Sequence, residues 1–230
     1  MEIATEAVDR LHLLVKGLHD KVMAARMTPI AVITDRLPRA ARDIARRRGR
    51  EVDLVITGED IELDRAIVDE LADPVLHLLR NAIDHGVETP DERKTAGKAP
   101  KGKVTLTVTR QRDRVVLELS DDGRGIDVER LKVLVVERGL MTPDQTRLLS
   151  ERDGLMLVCL PGLSTATDVT DISGRGVGMD AVKRALEQVG GTLDIETRAG
   201  RGTTFRLSLP LTVAMVNLLL ANPDEQILVF

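Results

Sequence analysis

The segment "HLLRNAIDHG" carries three polar side chains at a spacing that could form a binding site. His77, Asn81 and His85 follow one another at intervals of four residues. Side chains four residues apart lie on one face of a helix, so we expect all three to face the same site. The amide oxygen of Asn81 suits Mg²⁺, a hard ion that also binds phosphate oxygens and water. A helix with polar residues facing solvent would show the same pattern.

The segment "LELSDDGRGID" places a carboxylate at the predicted end of a strand. Asp121 follows an alternating apolar and polar run, and Gly123 and Gly125 come shortly after it. A carboxylate there can accept a hydrogen bond from an exocyclic amine such as that of adenine. Glycine lets the backbone approach a flat ring closely. An ordinary Asp-Gly turn is the alternative interpretation.

The segment "LPGLSTATDVTDISGRGVGMD" is predicted to be a long loop that ends at a helix N-terminus. Loops of this length inside a compact domain are usually functional lids or disordered segments. Its last glycines, Gly174, Gly176 and Gly178, have backbone N–H groups that can hold phosphate at the start of a helix. A fourth segment, "AGRGTTF", contains Thr203 and reads in isolation as a plain hairpin turn.

The string "GVGMDA" formally matches the dinucleotide-binding pattern G-x-G-x-x-[GA], and Glu196 lies at about the distance of a ribose-binding acid. That pattern must follow directly on a buried strand. Here it follows "STATDVTDIS", a polar stretch without an apolar run, so the context excludes a dinucleotide fold.

The elements that would position these segments alternate between strands and helices. We predict a strand at 51–58, a helical segment at 64–86 that breaks near Pro74, two strands within 103–123, helices within 127–160, a helix at 179–191 and a hairpin at 192–211. Hairpins outnumber crossovers. The order therefore predicts an α+β fold, with a mixed sheet covered on one face by helices.

Composition limits the kind of protein. The formal net charge of -4 argues against nucleic acid or an anionic membrane as partner. A single cysteine, Cys159, excludes a disulfide framework and fits a reducing compartment. Residues 36–50 contain seven arginines, which we interpret as a solvated helix face in preference to a nucleic-acid patch. The longest apolar run, near 211–221, is too short to span a bilayer, which takes about 20 residues.

The four segments, in this order, resemble the N, G1, F with G2, and G3 boxes of the GHKL superfamily, named for gyrase, Hsp90, histidine kinases and MutL. The strings "HLLRNAIDHG", "SDDGRGID", "PGLSTA" and "SGRGVGMD" are similar to the kinase core of the chemotaxis-type histidine kinases. The resemblance covers nearly the whole chain. It implies a two-layer α/β sandwich of the Bergerat type, with a mixed, mainly antiparallel sheet.

The resemblance also implies roles for individual residues, with ATP and Mg²⁺ as cofactors. Asp121 would contact the adenine amine, Asn81 would coordinate Mg²⁺, and His77 would be a second ligand or a polar organiser, with both His77 and Asn81 taken as catalytic. His85 and Lys98 would face the phosphates. The full nucleotide-binding set would be Asn81, Asp84, His85, Lys98, Asp121, Gly123, Gly125, Ile126, Ser164, Thr165, Ser173, Gly174, Arg175, Gly176, Val177, Gly178, Met179 and Thr203.

The same resemblance divides the chain into three parts. Residues 1–27 would end a dimerisation helix hairpin, 28–209 would form the ATP-binding catalytic domain, and 210–230 would begin a regulatory domain. Transfer of the γ-phosphate would go in trans to a histidine on a separate phosphotransfer domain of the same kinase, with response regulators as indirect partners. The whole protein would be a cytoplasmic homodimer without membrane insertion, coupled through an adaptor protein to a chemoreceptor array.

Two alternatives remain open within the resemblance. A GHKL ATPase of the chaperone or mismatch-repair type carries a catalytic glutamate on the N-box helix, whereas here no glutamate lies on the face of His77 and Asn81 until Glu88, which favours the kinase. A non-catalytic nucleotide-binding scaffold is the other alternative, because Leu163 replaces the phenylalanine that usually anchors the lid.

Overall fold

The computed structural model describes residues 25–163 and 178–212, together with residues 10, 14, 15, 17 and 21. Most of the expected dimerisation helix at 1–27 and of the expected regulatory segment at 210–230 lies outside these residues. So does the stretch 164–177 with its predicted lid residues.

A five-stranded mixed sheet forms one layer of the fold. Its strand order is β2-β4-β5-β7-β6, and β2 is parallel to β4 while all other neighbours are antiparallel. A short antiparallel pair, β1 with β3, lies apart from it. The strands are β1 (Met27–Pro29), β2 (Val52–Thr57), β3 (Glu62–Asp64), β4 (Gly102–Gln111), β5 (Arg114–Asp121), β6 (Thr192–Arg198) and β7 (Gly202–Pro210).

Helices form the second layer. They are α1 (Ala31–Thr34), α2 (Leu37–Arg47), α3 (Arg65–Asn81), α4 (Pro90–Thr95), α5 (Val128–Glu137), α6 (Pro143–Arg147), α7 (Glu151–Met156) and α8 (Met179–Gln188). A π-helical turn at Ala82–Gly86 and a 3₁₀ turn at Leu157–Cys159 complete the set. Within the described part of the chain, no helix is both long and apolar enough to cross a membrane.

The sheet buries one face and leaves the other partly exposed. Leu106, Leu117 and Leu207 are each 1% exposed and belong to the main core. On the opposite face, Glu118 and Arg206 are more than a third exposed and form an ion pair at 2.6 Å. This alternation is typical of an antiparallel sheet with one solvated face. The predicted two-layer architecture is therefore confirmed.

The expected break of the helix near Pro74 is wrong. The helix α3 runs without interruption from Arg65 to Asn81, with Pro74 buried in its interior. Proline removes one backbone donor and usually kinks a helix. Here α3 packs on the core on both sides of the proline, through buried apolar residues that include Leu71 and Leu78. Such packing supplies most of the stability of helices in proteins.

The arginine-rich segment forms the exposed side of α2. Leu37, Ala41 and Ala45 are buried, whereas Arg39 and Arg42 are exposed to solvent. The burial pattern agrees with the interpretation of a solvated helix face.

Candidate functional site

A cavity of about 260 Å³ opens between α3, its π-helical turn, α5 and the ends of β5 and β7. Apolar side chains make up most of its wall, and a few polar groups converge on it. Its lining consists of His77, Asn81, Ala82, His85, Gly86, Asp121, Gly125, Ile126, Leu131, Leu134, Val158, Leu163, Met179, Thr203 and Phe205. This combination is typical of a small-molecule site.

Asp121 is the only carboxylate among the described lining residues. It is the last residue of β5 and is 5% exposed. Burial raises its pKa to about 6, while the backbone N–H groups of Gly123 and Thr203 lower it. The N–H of Gly123 donates to Oδ1 at 2.9 Å. The site therefore offers one oriented carboxylate acceptor in a mainly apolar wall.

Three backbone segments converge on Asp121 at glycines. A Cβ on Gly86 would lie 2.8 Å from Asp121 Oδ1, and a Cβ on Gly123 would overlap the carbonyl group of Gly86. Gly202 adopts a φ of +106°, and a Cβ there would overlap the carbonyl of Asp121. Glycine is required at these positions because any side chain would push the segments apart. Gly86 was not among the sequence-predicted site residues.

Asn81 lies at the C-terminal end of α3 and faces the cavity. Its Nδ2 donates to the sulfur of Met179 at 3.1 Å. The Oδ1 oxygen is therefore the amide atom that remains available to a cation. That oxygen fits Mg²⁺. The described residues contain no group of three His, Cys, Asp or Glu side chains that could hold a metal. Mg²⁺ bound beside Asn81 would therefore take its other ligands from phosphate and water, as it commonly does.

His77 lines the cavity as a partly buried imidazole. Burial, the positive charge of Arg80 and the neighbouring His85 lower its pKa to about 4. A neutral imidazole nitrogen suits transition metals better than Mg²⁺. An efficient general base has a pKa near the pH at which the enzyme works. The pKa of His77 lies well below neutral pH. The side chain is better described as a neutral polar group of the pocket.

Some predicted residues do not line the cavity. The Oδ1 of Asp84 accepts from Arg48 Nε at 3.1 Å. Lys98 Nζ donates to Glu88 Oε1 at 2.7 Å and to two backbone carbonyls. Gly123 packs against Gly86 instead of lining the cavity. The N-cap of α8 is Gly178. The predicted lid residues Ser164, Thr165, Ser173, Gly174, Arg175, Gly176 and Val177 lie outside the described residues.

The sequence predicted Ile126 and Met179 of the apolar wall, but most of the remaining apolar lining went unrecognised. Leu163 is 4% exposed and packs in a small cluster with Val135 and Leu157, separate from the main core. Leu131 and Leu134 border the same cluster and also line the cavity. Leucines on an amphipathic helix carry no signature of a ligand site, so no local signal distinguished them from ordinary core residues.

Comparison with known proteins places the chain in a family. Residues 67–213 match the family described as "Histidine kinase-, DNA gyrase B-, and HSP90-like ATPase", and the chain belongs to this family. It is 42% identical over 214 residues to the chemotaxis protein CheA of Halobacterium salinarum, covering 93% of this chain and 32% of that protein.

Two further relatives are similar at the same level. The gliding motility regulatory protein of Myxococcus xanthus is 41% identical, over 96% of this chain and 29% of that protein. The sensor histidine kinase CheAY of Helicobacter pylori is 38% identical, over 98% of this chain and 28% of that protein. The chain thus spans about a third of the length of the curated relatives that it matches.

Proposed function

We propose that this chain is the ATP-binding catalytic core of a chemotaxis-type histidine kinase. The core would transfer the γ-phosphate of ATP in trans to a histidine on a phosphotransfer domain separate from residues 28–209. The observation that carries the proposal is the buried carboxylate of Asp121 at an apolar cavity. It is supported by the family match and by relatives whose names describe chemotaxis and sensor kinases.

The adenine end of the nucleotide would bind at Asp121. The carboxylate of Asp121 accepts hydrogen bonds only, which matches the exocyclic amine of adenine. Gly125 and Ile126 line the cavity beside it, and the apolar side chains of Leu131 and Phe205 provide surfaces for a flat ring. A site built this way selects adenine over guanine, because guanine presents a carbonyl oxygen at the corresponding position and would leave a buried carboxylate without a donor.

The phosphate end would lie towards Asn81 and the segment that precedes α8. When bound, Mg²⁺ would neutralise developing charge on the transferring phosphoryl group. Asn81 would contribute its amide oxygen, and His85 would offer a neutral imidazole. The chain's own contribution would be to position the nucleotide, since phosphoryl transfer depends mainly on positioning and electrostatic stabilisation.

Transfer to a protein histidine fits the site better than hydrolysis. A hydrolase of this superfamily needs a carboxylate that activates water, whereas the cavity's one described carboxylate is committed to the adenine end. Glu88, the nearest glutamate after the N-box helix, is engaged with Arg93 and Lys98 at 3.0 and 2.7 Å. The site therefore supports the kinase in preference to the ATPase.

The proposal extends to the parts of the chain beside the core. Residues 1–27 would end a dimerisation helix hairpin, and residues 210–230 would begin a domain that binds a coupling adaptor protein. The full protein would act as a cytoplasmic homodimer.

The experiment that tests the proposal incubates this chain with γ-labelled ATP and the phosphotransfer domain of the same kinase, added as a separate protein. Asp121→Asn is the site variant, and Arg206→Met on the open face of the sheet is the matched control. We expect label on the added domain, lost in Asp121→Asn and retained in Arg206→Met. Free phosphate without labelled protein would indicate an ATPase. Bound ATP with neither product would indicate a non-catalytic scaffold.

A further inference from the structure

A partly buried ionic network lies directly behind the cavity wall. It consists of two cations, Arg93 and Lys98, and two carboxylates, Glu88 and Asp122. The side chains of Arg93 and Glu88 are 1% and 9% exposed, whereas those of Lys98 and Asp122 are 18% and 43% exposed. Lysine, arginine and glutamate are almost never buried unless they are paired. Loss of either carboxylate would therefore leave the buried Arg93 less well compensated.

Arg93 occupies the centre of this network. Its Nη1 and Nη2 atoms donate to the two carboxylate oxygens of Asp122 at 3.0 and 2.8 Å, in a bidentate arrangement. Nη1 also donates to Glu88 Oε2 at 3.0 Å, and Nε donates to the carbonyl of Ala99 at 2.6 Å. A planar guanidinium fork fixes the orientation of its carboxylate partner, which lysine cannot do.

Lys98 fixes the backbone next to that carboxylate. Its Nζ donates to the carbonyl of Asp122 at 2.9 Å, to that of Gly123 at 2.8 Å and to Glu88 Oε1 at 2.7 Å. The three contacts use all three donors of the ammonium group. The N–H of Lys103 donates to Asp122 Oδ1 at 2.9 Å and adds a further restraint on that carboxylate.

The restrained backbone is the segment that orients Asp121. The N–H of Gly123 donates to Asp121 Oδ1 at 2.9 Å, and the N–H of Arg124 donates to the carbonyl of Gly86 at 3.0 Å. The orientation of the Asp121 carboxylate thus depends on the turn at 121–123. Contacts with Arg93 and Lys98 fix the position of that turn.

We propose that Arg93 is a positioning residue for adenine recognition. Through Asp122, and together with Lys98, it holds the turn at 121–123 so that the Asp121 carboxylate faces the cavity. The inference rests on the proposed function of Asp121. It assigns Lys98 to the same supporting network, in place of the phosphate contact expected from the sequence.

The network also acts on Asp121 through its charges. The negative charges of Asp122 and Glu88 both raise the pKa of Asp121, and Arg93 and Lys98 neutralise those charges. Loss of Arg93 would therefore raise the pKa of Asp121 further. The other titratable groups that line the cavity are His77 and His85. Burial lowers both of their pKa values, so they stay uncharged at neutral pH.

The test measures adenosine affinity by NMR titration between pH 5 and 8, because adenosine has no phosphate that would titrate. We expect Arg93→Met to raise the adenosine Kd roughly tenfold at high pH. The size is taken by analogy with metal sites, where losing a residue that orients a ligand weakens binding by about tenfold or more. The pH midpoint of binding should also move upward. In Arg93→Lys the charge is kept and the fork is lost, so the Kd should rise without a shift of the midpoint.

Arg206→Met is the control, since it removes an arginine from an ionic network on the opposite face of the sheet. Its Kd and midpoint should equal those of the unmodified chain. If Arg93→Met does not fold, Arg93→Lys and Lys98→Met carry the test. Unchanged Kd and midpoint in the folded variants would overturn the inference alone. Failure of the unmodified chain to bind adenosine would overturn the proposed function as well.

Discussion

At the scale of single residues, the site depends on the ionisation of Asp121. A buried carboxylate gives up hydration, and this cost raises the pKa of Asp121 to about 6. A hydrogen bond to a charged acceptor contributes about 1.5–3 kcal/mol, against about 0.5–1.5 kcal/mol for a neutral one. Recognition of adenine should therefore be strongest when Asp121 is ionised.

This dependence predicts that adenosine binding weakens as the pH falls through about 6. Above that pH Asp121 is an ionised acceptor, and below it the carboxyl group is protonated, so the affinity should drop by about fivefold between pH 7.5 and pH 5. The measurement is the adenosine Kd across this range. In Asp121→Asn the affinity should be low and independent of pH. A pH profile that survives this substitution would assign the titration to another group.

At the scale of secondary structure, the short helix α4 carries Arg93 and has a capping box at its first turn. Thr89 accepts a hydrogen bond from the N–H of Glu92, whose side chain accepts from the N–H of Thr89, forming a capping box. A helix of six residues is not stable alone, so this cap and the ionic network hold it together. A second capping box, at Thr142, starts α6 away from Asp121.

The two caps make a matched pair of variants. Thr89→Ala and Thr142→Ala should each lower the free energy of unfolding by about 1 kcal/mol, because each loses an N-cap hydrogen bond. Urea denaturation measures this loss. Only Thr89→Ala should also weaken adenosine binding, because only α4 supports the turn at 121–123. If both variants changed the adenosine Kd equally, α4 would have no specific role in adenine recognition.

At the scale of the whole molecule, the cavity lies between two hydrophobic clusters. The main core contributes Met179 and Phe205, whereas the smaller cluster contributes Leu163. A ligand that fills this space contacts both and binds only the folded state. It should therefore stabilise the fold as a unit.

Thermal unfolding tests this expectation. A nucleotide at a hundred times its Kd adds about 2.7 kcal/mol, and a chain of this size gains about 2–4 °C per kcal/mol. ADP with Mg²⁺ should therefore raise the Tm by about 5–10 °C. Asp121→Asn at the same ADP concentration should show little shift. An equal shift in both proteins would mean that ADP binds away from this cavity.

The sequence by itself determined the elements and the groups that lie in contiguous motifs. Alternating apolar residues predicted β4 and β5, and the position of Asp121 at a strand end identified the candidate adenine acceptor. Spacing of four placed His77 and Asn81 on one helix face, and both line the cavity. These inferences succeeded because strand and helix periods act over a few neighbouring residues.

Only the tertiary structure decided how distant segments meet. The continuity of α3 through Pro74 depends on packing against the core. The position of Lys98 behind the wall depends on Glu88 and on carbonyls of a turn more than 20 residues away. The need for glycine at Gly86 arises from the approach of Asp121, 35 positions along the chain. Such contacts follow from burial and charge pairing in three dimensions, which no local pattern encodes.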